Sequence, residues 1–276
     1  MSEIVSADWL KQHLGEVRVV DASWYMPAEK RNPKTEFEAG HIPGAVFYDI
    51  DVLSDQNSSL PHMLPPPEKF ARDAGGLGLG DGAMIVVYDG TGIYSAPRVW
   101  WTFKAMGHDR IAVLDGGLPA WKAAGGALES GPANPKPMTF TPHPNNAILR
   151  DFTAVKSALG NSQILDARSA PRFEGHEPEP RAGLKSGHMP GAANLPFRAV
   201  LTAEHRLKDD ASLQKLFAEK GVDLRAPIIT TCGSGVTAAI LMLALEKLGS
   251  RQVALYDGSW SEWGGRDDAP VATGPA

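Results

Sequence analysis

Cysteine is almost missing from this chain: Cys232 is the only one in 276 residues. An intrachain disulfide framework is therefore excluded, and a reducing compartment, most simply the cytoplasm, is expected. Positive charge is not in excess either. With 27 Lys and Arg against 32 Asp and Glu, the net charge of −5 leaves no electrostatic footprint for nucleic acid. No run of about eighteen apolar residues exists to span a membrane. The start, Met1-Ser2-Glu3-Ile4-Val5-Ser6, lacks the basic stretch and apolar core of a signal peptide. Cys-x-x-Cys, His-x-x-x-His and clustered-carboxylate spacings are absent, so neither a metal nor a cofactor is expected.

What is present is a soluble globular composition, 43% apolar and 21% charged, with core enough for one large or two medium domains. The sequence repeats itself. Arg18-Val19-Val20-Asp21-Ala22-Ser23, followed by Gly40-His41-Ile42-Pro43-Gly44-Ala45, returns as Gln163-Ile164-Leu165-Asp166-Ala167-Arg168, followed by Gly187-His188-Met189-Pro190-Gly191-Ala192. Residues 84–93 match 227–236, Leu114-Asp115-Gly116 matches Tyr256-Asp257-Gly258, and Trp121 matches Trp263, all at offsets of 142 to 147. In each copy short apolar strands alternate with helical stretches, such as 99–106 and 212–220. That alternation implies an α/β fold with a parallel sheet flanked by helices, once per copy. Between the copies, five prolines fall within residues 131–144. Such a stretch reads as a semi-rigid linker. The expected division is a domain over 1–128, a linker over 129–147 and a second domain over 148–276.

The single cysteine falls in Thr230-Thr231-Cys232-Gly233-Ser234-Gly235-Val236-Thr237, between an apolar strand at 227–229 and an apolar helix that starts at Ala238. Glycines let a turn curl so that successive N–H groups face one centre, and the helix start adds partial positive charge. A thiol placed there is expected to act as a nucleophile near neutral pH. A lone cysteine is more often an inert core residue. Its setting in a glycine turn favours chemistry. In the first copy the same position is Asp89, so that domain is expected to keep the scaffold without the thiol.

A duplicated α/β domain with Gly-His-(Ile/Met)-Pro-Gly-Ala in each half, and a cysteine loop only in the second, resembles the tandem rhodanese-type sulfurtransferases over essentially the whole chain. The loop Cys232-Gly233-Ser234-Gly235-Val236-Thr237 resembles that of the 3-mercaptopyruvate-using members; thiosulfate-specific members carry basic residues where this chain has Gly233 and Ser234. The resemblance implies that Cys232 takes sulfur from a small-molecule donor as a persulfide, cradled by the N–H groups of Gly233 to Thr237. It implies that pyruvate leaves and that the sulfur passes to a thiol such as thioredoxin, or to cyanide. It also implies that Arg172 and Arg181 bind the 2-oxo acid, as a guanidinium fork suits adjacent carboxylate and ketone oxygens. A Ser-His-Asp arrangement in the family would map to Ser234, His62 and Asp51. From the residues alone, His62 is an ordinary loop histidine and the arginines are solvated charges. His41 and His188 occur in both copies, including the one without cysteine, which points to structural roles; Asp21 and Asp166 read the same way.

Three rivals are weighed against this reading. A thiosulfate:cyanide sulfurtransferase is disfavoured by the neutral Gly233 and Ser234. A phosphatase with a Cys-x5-Arg loop is disfavoured because Ala238 stands where the arginine is needed. A persulfide carrier without catalysis is disfavoured by the accompanying Arg172, Arg181, His62 and Asp51. A monomer is the default for a tandem chain, with no nucleic acid or membrane as partner.

Overall fold

The computed structural model describes residues 3–275. Met1, Ser2 and Ala276, at the outer ends of the two expected domains, lie outside the described residues. The strands are β1 (Ile4–Val5), β2 (Arg18–Asp21), β3 (Val46–Phe47), β4 (Ile85–Tyr88) and β5 (Ile111–Leu114) in the first half. The second half has β6 (Leu149–Arg150), β7 (Gln163–Asp166), β8 (Ala193–Asn194), β9 (Ile228–Thr231) and β10 (Val253–Tyr256). They form two five-stranded sheets of the same order, β1-β5-β4-β2-β3 and β6-β10-β9-β7-β8. Every pairing is parallel. The repeat in the sequence is thus a repeat of topology, strand for strand.

The central strands are buried along their length and largely apolar because helices cover both faces of a parallel sheet. β4, β5, β9 and β10 are buried at all four positions. The helix Ala238–Lys247, which follows β9, is apolar on all sides, and only Lys247 escapes burial. A helix of that composition belongs inside a domain. One core cluster gathers Val19, Phe37, Val86, Leu114 and Trp121; another gathers Ile164, Phe173, Tyr256, Trp260 and Trp263.

Two compact units result, and each takes in a short stretch of the other half of the chain. The first runs to Gln56, resumes over Leu64–Asn145 and includes Ala203–Leu207. The second comprises Asn57–Met63, Asn146–Thr202 and the residues from Lys208 onward. The proline-rich stretch is fastened to the first unit. Met138 N–H donates to Gly75 O at 2.9 Å, Asn145 N–H donates to Ala105 O at 2.8 Å, and Phe140 packs edge-on against Phe70. Its prolines cannot donate to a sheet, so it runs as extended chain along the unit's surface.

Candidate active site

The site begins at the C-terminal end of β9, where parallel sheets present their loops to ligands. Cys232 follows directly after the strand and is 2% exposed; Ser234 is 7% exposed. Gly235 has φ of 77°, a left-handed backbone that lets the loop curl before the helix at Ala238.

The first unit displays what this curl does to an anion. After β4, the Asp89 carboxylate is turned back into its own loop. Its Oδ2 accepts the N–H groups of Tyr94, Ser95 and Ala96 at 2.8, 2.9 and 2.9 Å. Its Oδ1 accepts the N–H of Thr91 at 3.0 Å and the Thr91 hydroxyl at 2.9 Å. Two of those donors open the helix Ala96–Ala105 or precede it by one residue, so the carboxylate caps the positive end of that helix. Cys232 stands at the corresponding position of the second loop, 143 residues on.

Arg172 lies beside that second loop. Its Nη2 would be 3.1 Å from a β-carbon at position 233, so a larger residue there would push the guanidinium away by a few tenths of an ångström. Arg172 is in turn held by Glu179. Its Nε donates to Glu179 Oε1 at 3.3 Å and its Nη2 to Oε2, while Oε1 also accepts Arg168 Nη1 at 2.7 Å. Arg168 completes a buried chain of charges through Asp166, with Nη2–Oδ2 at 2.6 Å, and its guanidinium lies 4.1 Å over the Trp260 ring. Burial alone would depress the Arg168 pKa, but the charges and hydrogen bonds of Asp166 and Glu179 outweigh it and raise it. The side chain of Glu179 is only 2% exposed and that of Arg172 is 23% exposed, so the chain of charges runs outward from the core to one accessible guanidinium. Arg181 sits two residues beyond Glu179 and is half-buried.

The expected Ser-His-Asp residues are distributed between the units. Ser234 and His62 belong to the second, Asp51 to the first. His62 is 5% exposed and has φ of 61°, unusual for a side chain of that size. Asp51 is exposed, and its Oδ2 accepts the Trp24 indole N–H at 3.0 Å. His41 and His188, expected to be structural, make matching contacts in the two units. Each Nδ1 is within 2.9 Å of a backbone carbonyl, that of Phe37 or Phe173, and each ring stacks on the same phenylalanine at under 4 Å. Among the described residues no group of His, Cys, Asp or Glu could hold a metal ion, and no helix is long and apolar enough to cross a membrane.

Sequence reasoning missed Glu179, Arg168 and Trp260, whose parts in the charge chain depend on tertiary contacts. It also missed a paired signal: His62-x-Leu64 and His205-x-Leu207 repeat at the same 143-residue offset. Two matching positions are too few to notice without a structure.

Residues 6–124 and 151–266 each match the Rhodanese-like domain family. The chain belongs to that family. This rhodanese-like chain is 44% identical over 270 residues to the human protein named 3-mercaptopyruvate sulfurtransferase, covering 94% of this chain and 91% of that one. It is 41% identical over 293 residues to the Arabidopsis thaliana protein named thiosulfate/3-mercaptopyruvate sulfurtransferase 1, mitochondrial, covering 97% and 77%. The crystal structure of SseA from Escherichia coli, described as a 3-mercaptopyruvate sulfotransferase of rhodanese fold, superposes with a TM-score of 0.86 at 41% identity, covering 95% of this chain and all of that one.

Proposed function

We propose that this rhodanese-like chain is a 3-mercaptopyruvate sulfurtransferase. Cys232 thiolate attacks the sulfur of 3-mercaptopyruvate, the carbon–sulfur bond breaks, and its electron pair leaves with pyruvate as the enolate. The enolate is then protonated. A thiol acceptor next attacks the outer sulfur of the Cys232 persulfide and regenerates the thiolate. The observation that carries this reading is the Asp89 loop. Its carboxylate oxygen, two bonds beyond Cβ, accepts three N–H groups. The outer sulfur of a cysteine persulfide also stands two bonds beyond Cβ. The second helix begins one residue sooner after its loop, so the donors around Cys232 that correspond to Ser95 and Ala96 are the N–H groups of Thr237 and Ala238, joined by those of Gly233 to Val236 in the turn. Such preorganised donors stabilise the thiolate, the transition state and the anionic persulfide.

Arg172 and Arg181 are assigned to the donor's carboxylate and ketone oxygens. Glu179 engages Arg172 through Nε and Nη2, which leaves Nη1 to a ligand. Ser234, His62 and Asp51 are assigned to proton movement, with His62 as the base. The duplication supports His62. Its counterpart His205 in the first unit also has a left-handed backbone, at φ of 55°. The His205 carbonyl accepts the Ile93 N–H at 3.0 Å, and its ring lies 2.8 Å from Thr91 O. The residues corresponding to Thr91 and Ile93 in the second loop are Ser234 and Val236.

A thiosulfate donor is the second reading, favoured by the Arg172 guanidinium lying against the loop, where a sulfonate would meet it. A dithiol such as thioredoxin is the proposed acceptor, the cytoplasm the proposed compartment and a monomer the proposed state. The test is intact mass spectrometry of the protein after separate incubation with 3-mercaptopyruvate and thiosulfate, without acceptor. One added sulfur on Cys232 from mercaptopyruvate, with matching pyruvate release and loss of both in Cys232→Ser, is expected. Labelling by thiosulfate alone would overturn the donor assignment, and labelling by neither would leave a carrier.

A further inference from the structure

The backbone on either side of Cys232 is fastened to one tripeptide, Ser259-Trp260-Ser261, at the start of the last helix, Ser259–Trp263. The Cys232 N–H donates to the Ser259 hydroxyl at 3.3 Å, and the Cys232 carbonyl accepts the Trp260 N–H at 2.9 Å. The Gly233 carbonyl accepts both the N–H and the hydroxyl of Ser261, at 2.9 and 2.6 Å. Both peptide planes that flank the Cys232 α-carbon are therefore held, and with them the direction of its Cα–Cβ bond.

Ser259 does this from a costly position. Its φ is 48°, a region that side chains other than glycine rarely adopt. The first unit puts Gly117 there, at φ of 52°. A β-carbon on Gly117 would lie 2.4 Å from Asp89 O and 2.5 Å from Gly92 O. The first loop is thus closed against a bare glycine, whereas the second loop leaves room for a serine side chain that is fully buried. The hydroxyl's one hydrogen goes to Tyr256 O at 2.9 Å, which turns a lone pair toward the Cys232 N–H.

The difference between the two halves has a physical reason. Asp89 is anchored by the five hydrogen bonds to its own carboxylate and needs no outside hold on its N–H. The Trp260 bond has its counterpart there, Leu118 N–H to Asp89 O at 3.0 Å, but the serine bond cannot, because Gly117 has no side chain. Cysteine offers the cradle one sulfur atom where aspartate offers two oxygens fixed in a plane, so it cannot lock its own orientation as a carboxylate does. The backbone must aim it.

We propose that Ser259 is a positioning residue for the Cys232 nucleophile: its hydroxyl, held at a left-handed position that the first half gives to glycine, fixes the Cys232 N–H and so aims the thiol into its loop. The proposal rests on the sulfur-transfer reading above. The variants are Ser259→Gly, which removes the hydroxyl and relieves the backbone, and Ser259→Ala, which removes the hydroxyl alone. Two rates are read for each. One is alkylation of the sole cysteine by iodoacetamide at fixed pH; the other is single-turnover sulfur uptake from 3-mercaptopyruvate. Both rates are expected to fall about 10-fold in both variants. The KM for the donor should hold within about twofold, because the arginines are untouched, and Ser259→Gly should melt no lower than the unaltered protein. Rates within twofold in Ser259→Gly would overturn the proposal, as would a loss confined to Ser259→Ala, which would mark backbone strain as the cause. If the unaltered protein takes sulfur from neither donor, the functional reading fails by itself, and the alkylation rates still decide the role of Ser259.

Discussion

Asp89 and Cys232 occupy the same place in two copies of one loop, and the carboxylate of Asp89 is already bound by the N–H groups of Thr91, Tyr94, Ser95 and Ala96. Truncating it would leave those buried donors without an acceptor at a helix start. Asp89→Ala is expected to lower stability by about 3 kcal/mol or more. Urea unfolding monitored by tryptophan fluorescence checks this. A loss below about 1 kcal/mol would mean that water or a loop rearrangement replaces the carboxylate.

Glu179 joins Arg168 to Arg172 from a buried position, so its charge sets where the Arg172 guanidinium points. Glu179→Gln keeps an acceptor oxygen and removes the charge. The KM for 3-mercaptopyruvate should rise about 10-fold while kcat changes little, the pattern of weakened ground-state binding. Arg172→Ala should raise it further. Steady-state pyruvate release gives both constants, and a fall in kcat at constant KM would remove Glu179 from substrate binding.

Asp21 is the first unit's counterpart of Asp166, but Ser23 stands where the second unit has Arg168. Burial pushes its carboxyl up from 3.8 to about 6, against hydrogen bonds from Ser23 and Tyr88 that pull it down, with the nearby Asp89 charge adding to the rise. A raised pKa means that the folded protein holds a proton the unfolded chain has released. This group's contribution therefore favours folding below about pH 4 and is lost as pH climbs through about 6, by roughly 2–3 kcal/mol. Denaturant unfolding at intervals from pH 4 to 7 should show that slope in the unaltered protein and not in Asp21→Asn. The same slope in both would place its origin elsewhere.

His41 and His188 each combine a backbone hydrogen bond with a stacked phenylalanine, Phe37 or Phe173. Replacing either by alanine should cost about 1–3 kcal/mol of stability. Turnover per folded molecule should stay close to that of the unaltered protein. A hundredfold loss of kcat in a folded His188→Ala protein would be incompatible with a structural role.

The domain duplication, the strand-then-helix alternation and the setting of the single cysteine in a turn were legible because each depends on local pattern. Cys232 stands between an apolar strand and an apolar helix, and glycines punctuate the turn; these features need only neighbours in sequence. The assignment of Arg172 was legible only through resemblance, since an exposed-looking arginine in a Pro-Glu-rich stretch carries no local signal. Glu179 was passed over for the same reason: a glutamate between two prolines looks solvated until the fold buries it between two guanidinium groups.

The sequence by itself determined which half carries the thiol and that both halves share one topology, because hydrophobic period and turn chemistry act over a few residues. Only the tertiary structure decided how each loop is held. Asp89 is anchored by its own side chain and Cys232 by Ser259, 27 residues further on. Tertiary structure also decided that Asn57–Met63 joins the second unit and Ala203–Leu207 the first. Hydrogen bonds and burial between segments distant in sequence make those choices, and their energies exist only once the chain has closed.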